Sequence, residues 1–138
     1  MMIKVLLADD HRMVRDGLRY LLEAPGDIQI AATASNGQEA VEHAIANCPD
    51  VAVIDVSMPI MDGIEATRYI SKHCPHTQVV MLSMHDTPEY VHRALKAGAA
   101  GYVLKDAAGS ELVEAVRRLY HGDHYYSPRI AEIVKNLR

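Results

Sequence analysis

The sequence predicts an α/β fold, a doubly wound parallel sheet of five strands with helices on both faces. Two observations carry that prediction. Short apolar runs alternate with longer stretches of helical periodicity, and Val51-Ala52-Val53-Ile54 is so uniformly apolar that both faces of that strand must be covered, as in a parallel sheet. Parallel neighbours need crossovers, and a βα unit repeated five times with right-handed crossovers leaves helices on both faces.

Ile3 to Ala8 is the first strand. Val14, Leu18, Leu21 and Leu22 then fall at i, i+4, i+7 and i+8, one stripe of a helix that ends before Pro25-Gly26. Ile28 to Thr33 is the second strand. Asn36 followed by Glu39 has the spacing of a capping box, opening a helix whose Val41, Ala44 and Ile45 share a side until Pro49 breaks it. After the third strand at Val51 to Ile54, Asp62-Gly63 opens a third helix through Ile64, Arg68 and Ile70. Val79 to Leu82 is the fourth strand, reached through Cys74-Pro75. Thr87-Pro88-Glu89 supplies an N-cap, a proline in the first turn and an acid beside it for a fourth helix, which stops at Gly98. Tyr102 to Leu104 is the fifth strand, and Leu112, Val116 and Leu119 mark a fifth helix ending near Gly122.

Residues 123–138 depart from this rhythm. His124-Tyr125-Tyr126-Ser127-Pro128 reads as a connector, and 129–138 as a short helical pattern with too few neighbours for a core of its own. The expected division is a domain over 1–122 and a linker over 123–138; an end at Leu137-Arg138 without a stop signal fits a piece of a longer parent.

The chain has 138 residues, 49% hydrophobic and 23% charged, which is one domain's worth of core. A net charge of −4 supplies no basic stripe, so the chain is not expected to grip nucleic acid by itself. No apolar run approaches the roughly 20 residues that span a bilayer, and Met1 to Asp10 lacks a signal-peptide layout; the expectation is a cytoplasmic chain with no membrane contact. Cys48 and Cys74 each precede a proline without C-x-x-C spacing, and reduced, structural thiols are expected.

In an open parallel sheet, ligands bind beyond the carboxyl ends of the strands. Here those ends carry Asp9-Asp10, Asp55, Ser83 and Lys105. Each alone has an ordinary structural use, but three converging carboxylates repel one another unless a cation neutralises them. Carboxylates, a carbonyl and water are what Mg²⁺ accepts. With charge so absorbed, Asp55 can act as a carboxylate nucleophile on phosphorus, with Lys105 and Ser83 stabilising the transferring oxygens.

The chain resembles the receiver domain of bacterial two-component response regulators over residues 2–121. The resemblance rests on Leu-Leu-Ala-Asp-Asp-His at 6–11, Val-Ile-Asp-Val-Ser-Met-Pro-Ile-Met-Asp-Gly at 53–63, Met-Leu-Ser-Met at 81–84 and Gly-Tyr-Val-Leu-Lys-Asp at 101–106. It implies a flavodoxin-like sheet of order 2-1-3-4-5, with Asp55 as phosphoacceptor. It also implies Mg²⁺ held by Asp10, Asp55 and the Ser57 main-chain carbonyl, with Asp9 acting through water. Ser83 and Tyr102 would form a switch pair, Lys105 would bridge the acyl phosphate, and a sensor histidine kinase would be the donor, leaving homodimerisation on phosphorylation open. The Asp-Asp-His start, the Leu-Lys-Asp turn and Val-Arg-Arg-Leu-Tyr-His-Gly-Asp-His-Tyr-Tyr-Ser resemble the NarL/FixJ type, whose LuxR-type helix-turn-helix output domain would follow residue 138 in a parent protein. Two departures stand out: Met84 follows Ser83 where many receivers carry a small residue, and Asp106 follows Lys105 where proline is common.

Other constellations are weaker. Neither His73-Cys74-Pro75-His76 nor His121-Gly122-Asp123-His124 offers a second pair of zinc ligands. His85, two residues beyond Ser83, lies where it would influence water attack on an acyl phosphate. A haloacid dehalogenase-type phosphohydrolase needs an acid two residues after its nucleophile, and Ser57 stands there. A flavin or dinucleotide binder needs a phosphate cradle where Asp9-Asp10 would repel one. A pseudo-receiver that only binds partners would keep the fold and lose the chemistry.

Overall fold

A computed structural model describes residues 2–137. Its strands are β1 (Ile3–Ala8), β2 (Ile28–Ala34), β3 (Val51–Asp55), β4 (Gln78–Ser83), β5 (Gly101–Leu104) and β6 (Tyr125–Tyr126). Its helices are α1 (Arg12–Glu23), α2 (Gly37–Asn47), α3 (Gly63–His73), α4 (Pro88–Lys96), α5 (Ala108–Tyr120) and α6 (Pro128–Asn136). All strand pairs are parallel, in the order β2-β1-β3-β4-β5-β6.

Alternation along each strand divides the core into two layers. Val5 and Leu7, Val51 and Val53, Val80 and Leu82 face α1 and α5, meeting Leu18, Leu22, Leu112, Val116 and Leu119. Leu6 and Ala8, Ala52 and Ile54, Val79 and Met81 face the other way, against Ala40 and Ala44 of α2, Ile64 and Ile70 of α3, and Val91 and Ala94 of α4. Each large side chain so enclosed contributes about 1.5–3 kcal/mol. The apolar β3 run is explained by this double coverage, since all five of its residues are buried.

The helix starts follow their local chemistry with two departures. Asn36 accepts from the Glu39 N–H at 2.9 Å, but Glu39 Oε1 returns to the N–H of Ser35, one residue upstream of a standard capping box. Thr87 occupies the N-cap of α4 without a side-chain bond, leaving Pro88 and Glu89 to carry the start.

The sheet has six strands, not the expected five. Gly101 leaves the outer edge of β5 open: a methyl there would meet the Tyr125 carbonyl, and its absence lets Tyr125 N–H reach Ala100 O at 3.3 Å. Ser127 then locks the segment down, donating its N–H to Tyr102 O at 3.0 Å, accepting from Leu104 N–H at 3.0 Å, and donating from Oγ to Glu111 at 2.7 Å. Beyond it, Ile130 and Val134 of α6 are buried in the same layer as α4. A two-residue strand is too short to show a period.

The cysteines also depart from expectation. Cys48 and Cys74 form a disulfide with Cα atoms 5.6 Å apart, within bridging range. Both are helix C-caps, Cys48 in the left-handed region at φ 40°, and α2 lies beside α3. Spacing along the chain carries no record of that adjacency.

Candidate functional site

The strand order reverses between β1 and β3, whose carboxyl ends deliver Asp9, Asp10 and Asp55 to one crevice. Asp55 is the last residue of β3 and is 3% exposed. The loop after it is fixed by backbone bonds: Val56 N–H reaches Leu82 O at 2.9 Å and Gly63 N–H reaches Val56 O at 2.8 Å. Gly63 is obligatory for that closure, because a Cβ there would collide with the Asp55 carbonyl. Asp62 caps α3 by accepting from Glu65 N–H at 2.8 Å. Within the loop, Ile60 holds φ at +70° and is exposed, an unusual conformation for a β-branched residue.

The Asp55 carboxylate has two partners. Oδ2 accepts from Lys105 Nζ at 2.7 Å, and Oδ1 accepts from Ser57 N–H at 3.2 Å. Burial pushes its pKa above the usual carboxylate range; Lys105 works against that rise and the Asp9 charge adds to it. Lys105, at the start of a 3₁₀ turn over Lys105–Ala107, is opposed by burial but held above the ordinary lysine value by Asp55 and Asp9.

Asp9 is fully buried, and its Oδ1 accepts from His11 N–H at 2.8 Å. Its Oδ2 lies 3.2 Å from Lys105 Nζ, an ion-pair distance, yet has no aligned hydrogen bond. Asp10 Oδ1 is likewise buried without a hydrogen-bond partner, although His11 Nδ1 stands 3.2 Å away. Unpartnered carboxylate oxygens cost free energy in a protein interior unless a cation meets them. Ligand atoms of Asp9, Asp10, His11 and Asp55 all fall within 4.8 Å of one another. The donor set fits a divalent cation that prefers oxygen.

Ser83, the last residue of β4, and Tyr102, in β5, are both buried and meet at the backbone of one residue, His85. Ser83 Oγ accepts from His85 N–H at 2.9 Å, and Tyr102 OH donates to His85 O at 2.7 Å. Burial raises the Tyr102 pKa. The His85 ring stacks on Tyr90 at 4.0 Å and approaches Ser57 Oγ at 3.4 Å. A cavity of about 350 Å³ is lined by His11, Asp55, Ser57, Met84, His85 and Lys105. Met84 lines this cavity and is 81% exposed.

The structure therefore brings Asp9, Asp10, Asp55, Ser57 and Lys105 together, with Ser83 and Tyr102 joined one residue layer away through His85. Sequence reasoning missed Arg15, whose Nη1 donates to Asp9 O at 2.8 Å and braces the acidic turn from α1. It also missed the Arg129–Asp86 pair at 2.7 Å, which ties α6 to the loop after β4. Nothing in the periodicity signalled either contact; Ser127-Pro128, a helix-start dipeptide, was the available clue to α6.

The family model of the response regulator receiver domain matches residues 5–117. The chain belongs to that family. The receiver is 42% identical over 131 residues to the response regulator UvrY of Escherichia coli O6:H1, covering 95% of this chain and 60% of that protein. It is 38% identical over 135 residues to the oxygen regulatory protein NreC of Staphylococcus carnosus, covering 97% of this chain and 62% of that protein. A LuxR-family two-component response regulator from Aurantimonas sp. SI85-9A1 superposes with a TM-score of 0.93 at 33% identity, covering 100% of this chain and 99% of that chain. The receiver thus spans about 60% of the length of the curated relatives it matches. Among its described residues no helix is long and apolar enough to cross a membrane.

Proposed function

We propose that this receiver is a phosphoacceptor switch: Asp55 takes a phosphoryl group from the phosphohistidine of a sensor histidine kinase, or from a small acyl phosphate, in a Mg²⁺-dependent reaction. The observation that carries the reading is a buried carboxylate, Asp55, gripped by Lys105 at 2.7 Å beside two acids that each keep a buried oxygen without a hydrogen bond.

A carboxylate oxygen of Asp55 attacks phosphorus, the O–P bond forms, the N–P bond to the donor imidazole breaks, and the electron pair leaves with that nitrogen. Lys105 already lies within bonding distance of the acceptor, where its charge offsets the negative charge gathering on the transferring oxygens. Asp10, Asp55 and the Ser57 carbonyl would hold Mg²⁺, with Asp9 acting through water. When bound, that ion would neutralise the acidic cluster and the incoming phosphoryl oxygens. Hydrolysis later breaks the acyl phosphate, releasing inorganic phosphate and restoring the carboxylate.

The switch reading rests on the His85 backbone. If Ser83 Oγ turns to a phosphoryl oxygen, it gives up the His85 N–H, and the Tyr102 contact to the carbonyl of the same residue is disturbed with it. That is a shift between populations of one fold. It reaches β5, α4 and α5, against which β6 and α6 lie; we read residues 123–138 as the linker from the 1–122 receiver to a DNA-binding output domain in a longer cytoplasmic parent. Homodimerisation on phosphorylation is one output of such a shift.

The test is the intact mass of the protein after incubation with acetyl phosphate and Mg²⁺. One phosphate adduct is expected in wild type, absent from Asp55→Asn and from a chelated sample. No adduct while a donor-competent receiver reacts alongside would overturn the reading.

A further inference from the structure

His11 stands at the N-cap of α1, directly after the two acids, and its ring is 68% exposed. Its backbone N–H already serves Asp9 Oδ1 at 2.8 Å, so the side chain is not required for that turn. The ring nevertheless folds back over the acidic cluster. Nδ1 lies 3.2 Å from Asp10 Oδ1 and 3.6 Å from Asp9 Oδ1.

The alignment of these atoms is informative. Asp10 Oδ1 is buried and has no hydrogen-bond partner, so Nδ1 beside it is not aimed at it as a donor. Two ligand atoms that lie side by side without bonding each other are free to share a third partner. For metal–ligand bonds of about 2.1 Å in an octahedron, adjacent ligand atoms are about 3 Å apart. The separation of Nδ1 from Asp10 Oδ1 is close to that spacing. A second observation places the ring in the same cluster: ligand atoms, one each from His11, Asp9, Asp10 and the buried Asp55, lie within 4.8 Å of one another.

We infer that His11 Nδ1 is an additional ligand of the cation site, giving it one nitrogen among oxygens and a preference for divalent transition metals over Mg²⁺. The inference rests on the cation site proposed above and adds its specificity. Imidazole contributes little to Mg²⁺, a hard ion that favours oxygen, and much to Co²⁺, Ni²⁺ or Zn²⁺. Which ion occupies the site in a cell is then set by availability as well as affinity.

Substituting His11→Ala deletes the ring and keeps the backbone N–H that serves Asp9. Calorimetric titration of the full chain with MgCl₂ and separately with CoCl₂ gives the ratio of the two affinities. That ratio should fall about tenfold or more in His11→Ala, within the range known for removing groups that support a metal site. Because seven other histidines are present, Asp55→Asn is titrated alongside to identify binding at this site. Electron spin-echo spectra of the Mn²⁺-loaded protein supply a direct readout: ¹⁴N modulation from the ring is expected in wild type and absent in His11→Ala.

An unchanged affinity ratio with ¹⁴N modulation persisting in His11→Ala would overturn the inference while leaving the oxygen-ligated site intact. Absence of ¹⁴N modulation in Mn²⁺-loaded wild type would do the same, reducing the ring to a neighbour of the two carboxylates. If wild type bound neither Mg²⁺ nor Co²⁺ at a site sensitive to Asp55→Asn, both this inference and the cation site it rests on would fall.

Discussion

At the amino ends of the strands the polar groups are paired, whereas at the carboxyl ends two buried carboxylate oxygens lack hydrogen bonds. Asp27 grips Arg117 through both its oxygens at 2.8 and 2.9 Å, Asp50 accepts from Lys4 N–H at 2.9 Å, and Thr77 Oγ1 donates to Pro49 O at 2.6 Å. The Cys48–Cys74 bridge closes the same end. Across the sheet, Asp9 and Asp10 keep unpartnered oxygens, and Asp55 is ionised only against the cost of burial. Arg117 lowers the Asp27 pKa, while burial raises that of Asp55. The contrast teaches where chemistry can be hosted. One end holds the scaffold, and the other carries unmatched charge that a cation or phosphoryl group can relieve.

The largest test of this division removes the bridge. With its cysteines 26 positions apart in sequence, loop closure accounts for about 3.5 kcal/mol, and Cys48→Ser with Cys74→Ser should lose most of it. Urea unfolding with and without reductant measures the loss. Adduct formation at Asp55 should survive under native conditions. A parallel fall in the initial rate of phosphorylation would show the two ends to be coupled.

Next in size is Gly63→Ala, which pushes a methyl into the Asp55 carbonyl and should cost about 2 kcal/mol by overpacking. Unlike the cysteine pair, it should slow adduct formation as well, because the carbonyl it displaces belongs to the acceptor. Gly109→Ala is the matched control: nothing lies within 4 Å of its new methyl, and in α5 the change should stabilise by about 0.5 kcal/mol.

What the sequence made legible follows the same line. Strand ends, helix stripes and caps are local, so Asp9, Asp10, Asp55, Ser83 and Lys105 could be assigned to one rim from spacing and the crossover rule alone. The contacts that escaped are long-range. Cys48 reaches Cys74 because two helix ends abut, Ser127 reaches Leu104 and Glu111 across the edge of β5, and Arg129 reaches Asp86 from another helix. The meeting of Ser83 and Tyr102 at the His85 backbone needed the β4–β5 register, in which Met81 lies opposite Tyr102. Local pattern carries no information about which side chain of one element touches another.

A smaller effect isolates the cost of charge at the site. Asp55→Asn keeps the shape and removes the charge whose burial outweighs its pairing with Lys105, so the metal-free protein should gain about 1 kcal/mol at neutral pH. Chelator-treated samples compared by urea denaturation measure it. Adding Mg²⁺ should stabilise wild type and narrow or reverse the gap, since ligand stabilisation scales with affinity for the native state. A loss of stability in the chelated mutant would mean that the Lys105 pair dominates after all.

The smallest effect sets the two aspartates against each other in pH. Asp27 has a folded pKa below 3.8, so its contribution is complete above that value and is lost as pH falls through the folded one. Asp55 has the opposite sign. Its folded pKa lies above 3.8, its charge costs stability at neutral pH, and protonation returns that stability as pH falls through the folded value towards 3.8. The deficit of Asp27→Asn relative to wild type should therefore shrink below pH 3.8, whereas the advantage of Asp55→Asn should disappear at higher pH, before the Asp27 effect begins to fade. Salt separates them further. Asp27 and Arg117 have side chains 39% and 44% exposed, so added NaCl should erase most of the Asp27 difference, while the buried Asp55 difference should persist. Equal salt sensitivity at both positions would mean that the carboxyl rim is wetter than its burial implies, and that its unpartnered oxygens are already satisfied by solvent.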